Sequence, residues 1–509
     1  MKLLILSEVS DDTYRVHYEA QVLSLLDEVN NGALEISLVC AQEDPHLETD
    51  TPIKETIKLP IFPTNRGECV ALMETFERYL AGQPSGLLPD EEEQFVDLIE
   101  AVRKVDAVLT LGNNVMSSQA PNTLYEMAVL VAVCHRVGVP VVCTSQLVGT
   151  PLVETDARAL VRTYQRASLV CVADQASHIW CSQHAIDAAP SVDVATTYGP
   201  RVRSLTGTPT YDLFKNVGEL DNAYIGVAFT DPANQLIEPL AKLLDRLHES
   251  TGYHTVFIAH ETDPETSRGD VQLHQRIAAK MKSNPVLTPA LHADVVAGLH
   301  HSAAFNITNL HRAAALSLGR GVPVFGFYNT ISKRVGLESV LANFGMTDFV
   351  APDTQMHSPD VFEALLELAD RFESHLNLNL YEHARQVAEF AHGMLQTIMK
   401  QAERGVFDRD ALDSVPAPPQ LKIRGKQWRV RLKNLNDLAG DLLARCEHTD
   451  LERVIADEEV LSQRQQCDAL MRQLREDELR LRVQHNQIEE LQGELAAVQR
   501  PRGLGRWFG

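Results

Sequence analysis

The amino-acid sequence predicts an α/β protein with two doubly wound Rossmann-like domains and a C-terminal helical coiled-coil extension. Three observations predict this class. Short apolar runs alternate with amphipathic helical segments in two successive series, a stretch rich in Pro, Gly and Thr separates the series, and apolar residues recur every seven positions near the C-terminus. A chain of 509 residues is also too long for one typical domain.

Residues 1–200 are predicted to form the first domain. Its apolar runs have the length and the Val, Ile and Leu content of strands that are buried on both faces. In chain order these runs are KLLILS, LEISLVCA, DAVLTLG, VPVVCTS and SLVCVAD. Helical segments separate them, which indicates a parallel sheet with helices on both sides.

A connector at residues 201–223 is predicted to lead into a second domain at residues 224–410, because no regular period is sustained in the connector and the alternation resumes after it. The second series ends in closing helices. Its predicted strands are AYIGVAFT, HTVFIAH, PVLT, AAFNIT and VPVFGFY. We expect a cleft between the two domains, and open α/β sheets bind ligands at the carboxyl ends of their strands.

Three segments follow the second domain. Residues 411–450 are predicted to be a linker that is first Pro-rich and then basic, residues 451–499 a coiled coil, and residues 500–509 a basic-aromatic tail. The apolar heptad positions are Val460, Cys467, Leu474, Leu481, Ile488 and Leu495. The repeat predicts a homo-oligomer, with a single helix packed on its own globular domain as the alternative. The tail suits contact with an anionic membrane or a partner groove, or it is a disordered end.

The composition and charge of the chain argue against several classes of function. The formal net charge of −23 argues against a general affinity for nucleic acid. The N-terminal apolar run is too short for a secretory signal, and no run of about 18 apolar residues predicts a membrane span. The eight cysteines are scattered without a CxxC pair, as in reduced cytosolic proteins, and predict no metal site. We therefore expect a cytoplasmic protein, with at most peripheral contact at the inner face of the membrane.

Four segments of the first 400 residues resemble the polysaccharide pyruvyl transferase family. They are DAVLTLGNNVMSS, GVPVVCTSQLVGTP, ASLVCVADQASHIW and TNLHRAAALSLGRGVPVFGFYNTISKRV. The family's motif positions are matched by Asp174, Ser177, Leu310, His311, Gly321, Val322, Pro323 and Lys333. Ala173 and Asn309 stand where the family has Arg, and its early Asn-x-Gly-Asp loop is absent.

The resemblance implies a glycosyltransferase-B-like fold and a pyruvyl transfer reaction. The donor substrate would be phosphoenolpyruvate, with no further cofactor. The acceptor would be a sugar hydroxyl of a glycan or of a lipid-linked or nucleotide-linked precursor, and the product a pyruvyl ketal. The missing Arg residues matter because bidentate Arg is well suited to phosphate and carboxylate.

The resemblance makes His311 the catalytic candidate, as the acid that protonates the methylene carbon or the base that accepts the hydroxyl proton. The alternative is a histidine that packs at a helix start. Lys333, in a loop after a strand, is expected to neutralise the donor. The other binding candidates are Arg312, Arg334, Arg201, Asn113, Asn114, Asp174, Ser177 and Asn309. For Asp174 and Ser177, capping of the next helix is the simpler explanation.

Two other functions fit the same sequence. One is a non-catalytic member of the fold that binds a glycan or scaffolds an assembly through its C-terminal helix, which the missing Arg residues favour. The other is a glycosyltransferase that uses a nucleotide sugar, which shares the fold but has no specific motif here. Binding of phosphoenolpyruvate separates the first of these from the transferase.

Overall fold

The structure is a computed structural model that describes most of the first 456 residues. The described ranges are 1–6, 35–40, 53–60, 62–63, 65–84, 86–112, 115–149, 152–199, 224–230, 234–260, 269–289, 291, 293–372, 376–418, 421 and 428–456. The chain divides into one compact unit, Met1–Leu451, and a second, Glu452–Gly509. The predicted repeat from Val460 onward and the tail lie outside the described residues.

The first half of the compact unit is built on a parallel sheet. Its strands are β1 (Lys2–Leu6), β2 (Glu35–Cys40), β3 (Ile53–Lys58), β4 (Ala107–Leu111), β5 (Val115–Met116), β6 (Val141–Val148), β7 (Leu169–Val172) and β8 (Ala188–Pro190). Their described order is β3-β2-β1-β4-β6-β7-β8, with β5 beside β6. All residues of β4 and β6 are buried, as expected of strands covered on both faces.

Five described helices cover this sheet. They are α1 (Arg66–Leu80), α2 (Pro89–Arg103), α3 (Pro121–Val137), α4 (Glu154–Arg166) and α5 (Gln175–Gln183). The helix α3 is apolar nearly all round and buried, since it packs against α1, α2 and α4 as well as the sheet. Gly138 ends it with φ of 84°, a left-handed conformation that glycine adopts without strain.

The second half contains another parallel sheet. Its strands are β9 (Tyr224–Ala228), β10 (His254–Phe257), β11 (Val286–Leu287), β12 (Phe305–Thr308), β13 (Val324–Tyr328) and β14 (Val350–Pro352). Their described order is β11-β10-β9-β12-β13-β14. Its helices are α6 (Ile237–Thr251), α7 (Asp270–Ala278), α8 (Ala293–Ser302), α9 (His311–Leu318), α10 (Ile331–Asn343), α11 (Pro359–Phe372), α12 (Leu376–Arg404) and α13 (Arg409–Asp413). Two doubly wound α/β halves are therefore confirmed.

A further helix, α14, spans 428–456. It is part of the fold, because the indole Nε1 of buried Trp428 donates to Glu367 Oε2 at 2.7 Å and Asn436 bonds the carbonyl of Val350 in β14. The described part of the predicted linker at 411–450 is thus largely helical. The sequence predicts a Pro-rich and then basic linker here, and in the structure one face of this helix packs on the second half through Trp428 and Asn436.

The loop after β13 is also shorter than expected. Thr330 caps α10, with its hydroxyl accepting from the Lys333 amide at 3.2 Å, so the helix begins at Ile331. Lys333 and Arg334, predicted to lie in a polar loop, therefore occupy the first turn of α10. No helix in the described part of the chain has the length and apolar character needed to cross a bilayer.

Candidate functional site

The candidate site lies at the carboxyl edge of the second sheet. Strands β12 and β13 pair in parallel, and each leads at once into a helix, α9 at His311 and α10 at Ile331. The amino ends of both helices consequently point toward the same edge. Each presents backbone N–H groups and the positive end of a helix dipole, which favours an anion there.

His311 is the first residue of α9 and is half-buried. Its ring packs on Gly336 of α10: a Cβ added at Gly336 would approach the Cβ and Cγ atoms of His311 at 3.2 Å. This distance is tighter than ordinary packing, so a larger residue at 336 would push the imidazole away. The lack of a side chain at Gly336 therefore sets the position of His311 between the two helices.

Lys333 lies on the same side of α10 as Gly336, since residues three apart share a helix face. It also affects Asp353, which directly follows β14. Burial raises the pKa of the Asp353 carboxyl to about 6, and the positive charge of Lys333 acts in the opposite direction. The lysine charge is thus placed at the edge of the sheet between the ends of β13 and β14.

Sequence analysis missed Asn329, which sits between β13 and the cap of α10. The Oδ1 atom of its half-buried side chain is itself buried and, within the described part of the chain, has no hydrogen-bond partner. A buried acceptor of this kind usually has a partner, so the site is suited to a ligand hydroxyl or N–H group. The signal in the sequence was a polar residue at a strand end, which is common to many turns.

Glu447 of α14 was also missed, and it bridges the two halves of the compact unit. Its Oε1 accepts from the amide of Ile331 at 2.7 Å, and its Oε2 accepts from Gln119 Nε2 at 2.7 Å. Gln119 belongs to the first half, in the turn after β5. A carboxylate therefore occupies the amino end of α10, where a helix favours negative charge.

Two binding candidates next to His311 in the sequence, Asn309 and Arg312, are buried in the protein. The Asn309 amide binds the backbone of Thr230 at the end of β9, accepting from its N–H at 2.9 Å and donating to its C=O at 2.5 Å. Both atoms of the amide group thus tie β9 to β12, at the position where the resembled family has Arg. Arg312 is buried, with 5% of its surface exposed, in the first turn of α9.

Arg334 points away from Gly336 and toward α14. It contacts Glu338 at 2.7 Å and Asp437 at 3.8 Å, and it borders a cavity of about 330 Å³ that Asp174 also lines. Arg334 and Lys333 therefore face different surroundings although they are adjacent.

Asp174 and Ser177 have the geometry of a helix cap. The Asp174 carboxylate accepts from the Ser177 amide at 2.6 Å, and the Ser177 hydroxyl accepts from the Val148 amide at 2.8 Å. Burial raises the pKa of the Asp174 carboxyl, while the hydrogen bonds from the helix start lower it. Three remaining candidates, Asn113, Asn114 and Arg201, lie outside the described residues.

The buried histidines near β12 contact each other and a neighbouring asparagine. His300 is buried and faces His260 at 2.7 Å between Nε2 atoms, while its Nδ1 faces Asn306 Oδ1 at 2.9 Å. Burial lowers the pKa of His300 to about 4, so the ring is neutral at pH 7. Across the described ranges, no group of three or more His, Cys, Asp or Glu side chains is arranged to hold a metal ion.

Comparisons with solved structures identify the fold. The chain resembles a putative UDP-N-acetylglucosamine 2-epimerase from Listeria monocytogenes with a TM-score of 0.51 and 14% identity, over 83% of this chain and 99% of that one. For a UDP-GlcNAc 2-epimerase from Neisseria meningitidis bound to UDP-GlcNAc, the TM-score is 0.49 and the identity 13%, over 80% and 100% of the two chains. No protein-family model matches the chain, and no curated protein sequence does. The glycosyltransferase-B-like architecture is thereby confirmed.

Proposed function

We propose that this protein is an enzyme that binds a nucleotide-activated sugar at the carboxyl edge of its second sheet and acts on that sugar as a glycosyltransferase or an epimerase. The observation that carries the proposal is the convergence of two helix amino ends, α9 and α10, with His311 and Lys333 in their first turns. The name of the Listeria protein points to the same substrate class.

The chemistry of this edge fits a sugar diphosphate. A diphosphate carries negative charge that a protein with a net charge of −23 repels over much of its surface. At this edge the helix dipoles and the charge of Lys333 favour a negatively charged ligand. The His311 imidazole can donate a hydrogen bond to a phosphate oxygen or exchange a proton with a sugar hydroxyl.

Asn329 supplies a contact for the sugar rather than the phosphates. Its buried Oδ1 can accept a hydrogen bond from a hydroxyl group, and its position between β13 and α10 places that acceptor beside Lys333. Gln119 of the first half donates a hydrogen bond to Glu447, which places its side-chain amide near the start of α10. An acceptor molecule would approach from that side of the cleft.

Calorimetry with UDP and UDP-GlcNAc tests the proposal. We expect saturable binding that is weakened about tenfold by His311→Ala and by Lys333→Met, the loss of about 1.4 kcal/mol that one charge-assisted contact contributes. The matched controls are His135→Ala and Lys400→Met, which alter exposed residues outside the site. These controls should bind like the parent.

The same titration with phosphoenolpyruvate addresses the predicted pyruvyl transfer. Binding of phosphoenolpyruvate without binding of either uridine nucleotide would contradict the nucleotide-sugar proposal and favour the pyruvyl transferase. If a glycan bound but neither donor did, the non-catalytic alternative would be favoured. Asn309 does not offer the cation that the resembled motif has, because a carboxamide is uncharged, and its amide group ties β9 to β12 instead.

A further inference from the structure

The helix α14 carries an apolar stripe beside the face that packs on the compact unit. Leu442 is 54% exposed, Cys446 is exposed, and Leu435 and Ala439 are half-buried. These four residues, which we call the seam, follow one another at intervals of four, three and four residues. That spacing places them on one side of a helix, the side from which a second helix is packed in a coiled coil.

The seam is in phase with the seven-residue repeat farther along the sequence. Counting back from Val460 in steps of seven passes Arg453 and then reaches Cys446, Ala439 and Leu432, and Leu442 and Leu435 fall three positions after the last two. The a and d positions of the repeat therefore begin at residue 435, within the compact unit. Thr449 and Arg453 occupy d and a positions between the seam and Val460, so the two apolar segments share one register across a polar interruption.

A neighbouring face of α14 packs on the compact unit. Asn436 and Glu447, which contact β14 and the start of α10, are offset from the seam. The helix therefore packs on its own chain with one side while the seam stays accessible. The exposed Leu438, with 60% of its surface accessible, flanks the seam and widens the apolar surface.

We infer that the seam is an interface for a second copy of this chain, in a parallel and in-register pair of α14 helices. The charges beside the seam agree with such a pair. In this arrangement Arg445 of one copy faces Asp450 of the other. The interface extends beyond the predicted coiled coil at 451–499 and brings the second copy beside the Glu447 bridge.

Cys446 makes the pairing directly measurable. In a parallel in-register pair, the residue at each a position meets the same residue of the other copy. The cysteines 69, 134, 143, 171 and 181 are buried, whereas Cys446 is exposed. A short bismaleimide, which joins two thiols by addition, should therefore link Cys446 of one copy to Cys446 of the other in the full-length protein.

The test combines cross-linking, peptide mapping by mass spectrometry and sedimentation. We expect a dimer whose Cys446–Cys446 link disappears in Cys446→Ser, and a dimer dissociation constant that is raised at least about tenfold by Leu442→Asp. Val430→Asp changes another exposed apolar residue of α14, outside the seam, and should leave the dimer unchanged. Circular dichroism verifies that both variants are folded.

Three results would overturn the inference. The first is a full-length chain that sediments as a monomer at micromolar concentration. The second is a dimer linked only through Cys467, which would confine the pairing to the later repeat. The third is a link between Cys446 and Cys467 of different copies, which would mean that the pair is antiparallel or out of register.

Discussion

The carboxyl edges of the two sheets have the same strand topology but differ in the burial and pairing of their polar side chains. At the first edge, buried Arg66 binds the buried carboxylate of Asp156 at 2.9 Å, and Tyr125 donates to the other Asp156 oxygen at 3.0 Å. At the second edge, the polar side chains of His311 and Lys333 are half-buried. At the first edge the charged side chains pair with each other and stabilise the fold. At the second edge they remain accessible to a ligand.

The difference teaches that a doubly wound half does not by itself define a binding site. Both sheets bring helix amino ends to the same kind of edge, which is the position where such folds bind ligands. At the first edge, Arg66 also donates to the carbonyl of Ser118, so the polar groups there already have protein partners. The chemistry follows from the side chains and not from the topology.

The largest effect is expected when the ion pair of the first edge is broken. Asp156→Ala leaves Arg66 as a buried charge without its carboxylate, and the free energy of unfolding should fall by about 3–5 kcal/mol. Chemical denaturation measures this loss. Arg158→Ala removes the exposed pair with Glu154 and should change stability by no more than about 0.5 kcal/mol. A loss below about 1 kcal/mol for Asp156→Ala would mean that the first edge is not held together by this pair.

A smaller effect is expected at Glu126, a buried carboxyl of α3. Burial raises its pKa to about 7, against a partly opposing hydrogen bond from the Phe62 backbone. The folded state therefore holds a proton that the unfolded state has lost, so this group costs stability as the pH rises from about 4.5 to 7. Glu126→Gln should stabilise the protein by about 2–3 kcal/mol at pH 8 and by almost nothing at pH 4.

Thermal denaturation of parent and variant at several pH values checks this prediction. The difference in melting temperature should grow with pH and level off above about pH 7. A constant difference across the range would show that the substitution acts through packing and that the carboxyl titrates normally. Glu403→Gln, at an exposed residue of α12, provides the matched control.

The smallest effect is expected at the Glu447 bridge. Its carboxylate competes with a phosphate for the amino end of α10, so Glu447→Gln should strengthen UDP binding severalfold, as expected for about 0.3–1 kcal/mol at a helix end. Calorimetry measures the change, and Glu403→Gln is again the control. Unchanged or weaker binding would mean that the ligand phosphates lie elsewhere on the edge.

Much of the fold could be predicted from the sequence, because the patterns that indicate strands and helices depend on residues close together in the chain. The apolar run of β4 and the alternation of strands with amphipathic helices depend on residues a few positions apart, and they predicted both sheets. The strand end at Thr308 and the helix start at His311 could be predicted in the same way. Residues 428–450 were assigned to a linker and only the helix from 451 onward was predicted, because the basic residues hid the face that buries Trp428.

The sequence by itself determined the two doubly wound halves and the phase of the C-terminal repeat, and its family resemblance made His311 a candidate. Only the tertiary structure decided which groups surround that histidine. Gly336 approaches it from another helix, and Glu447 reaches Ile331 across 116 positions and Gln119 across 328. Periodicity reports which face of an element is buried and not what it meets, so contacts between distant segments could not be predicted from the sequence.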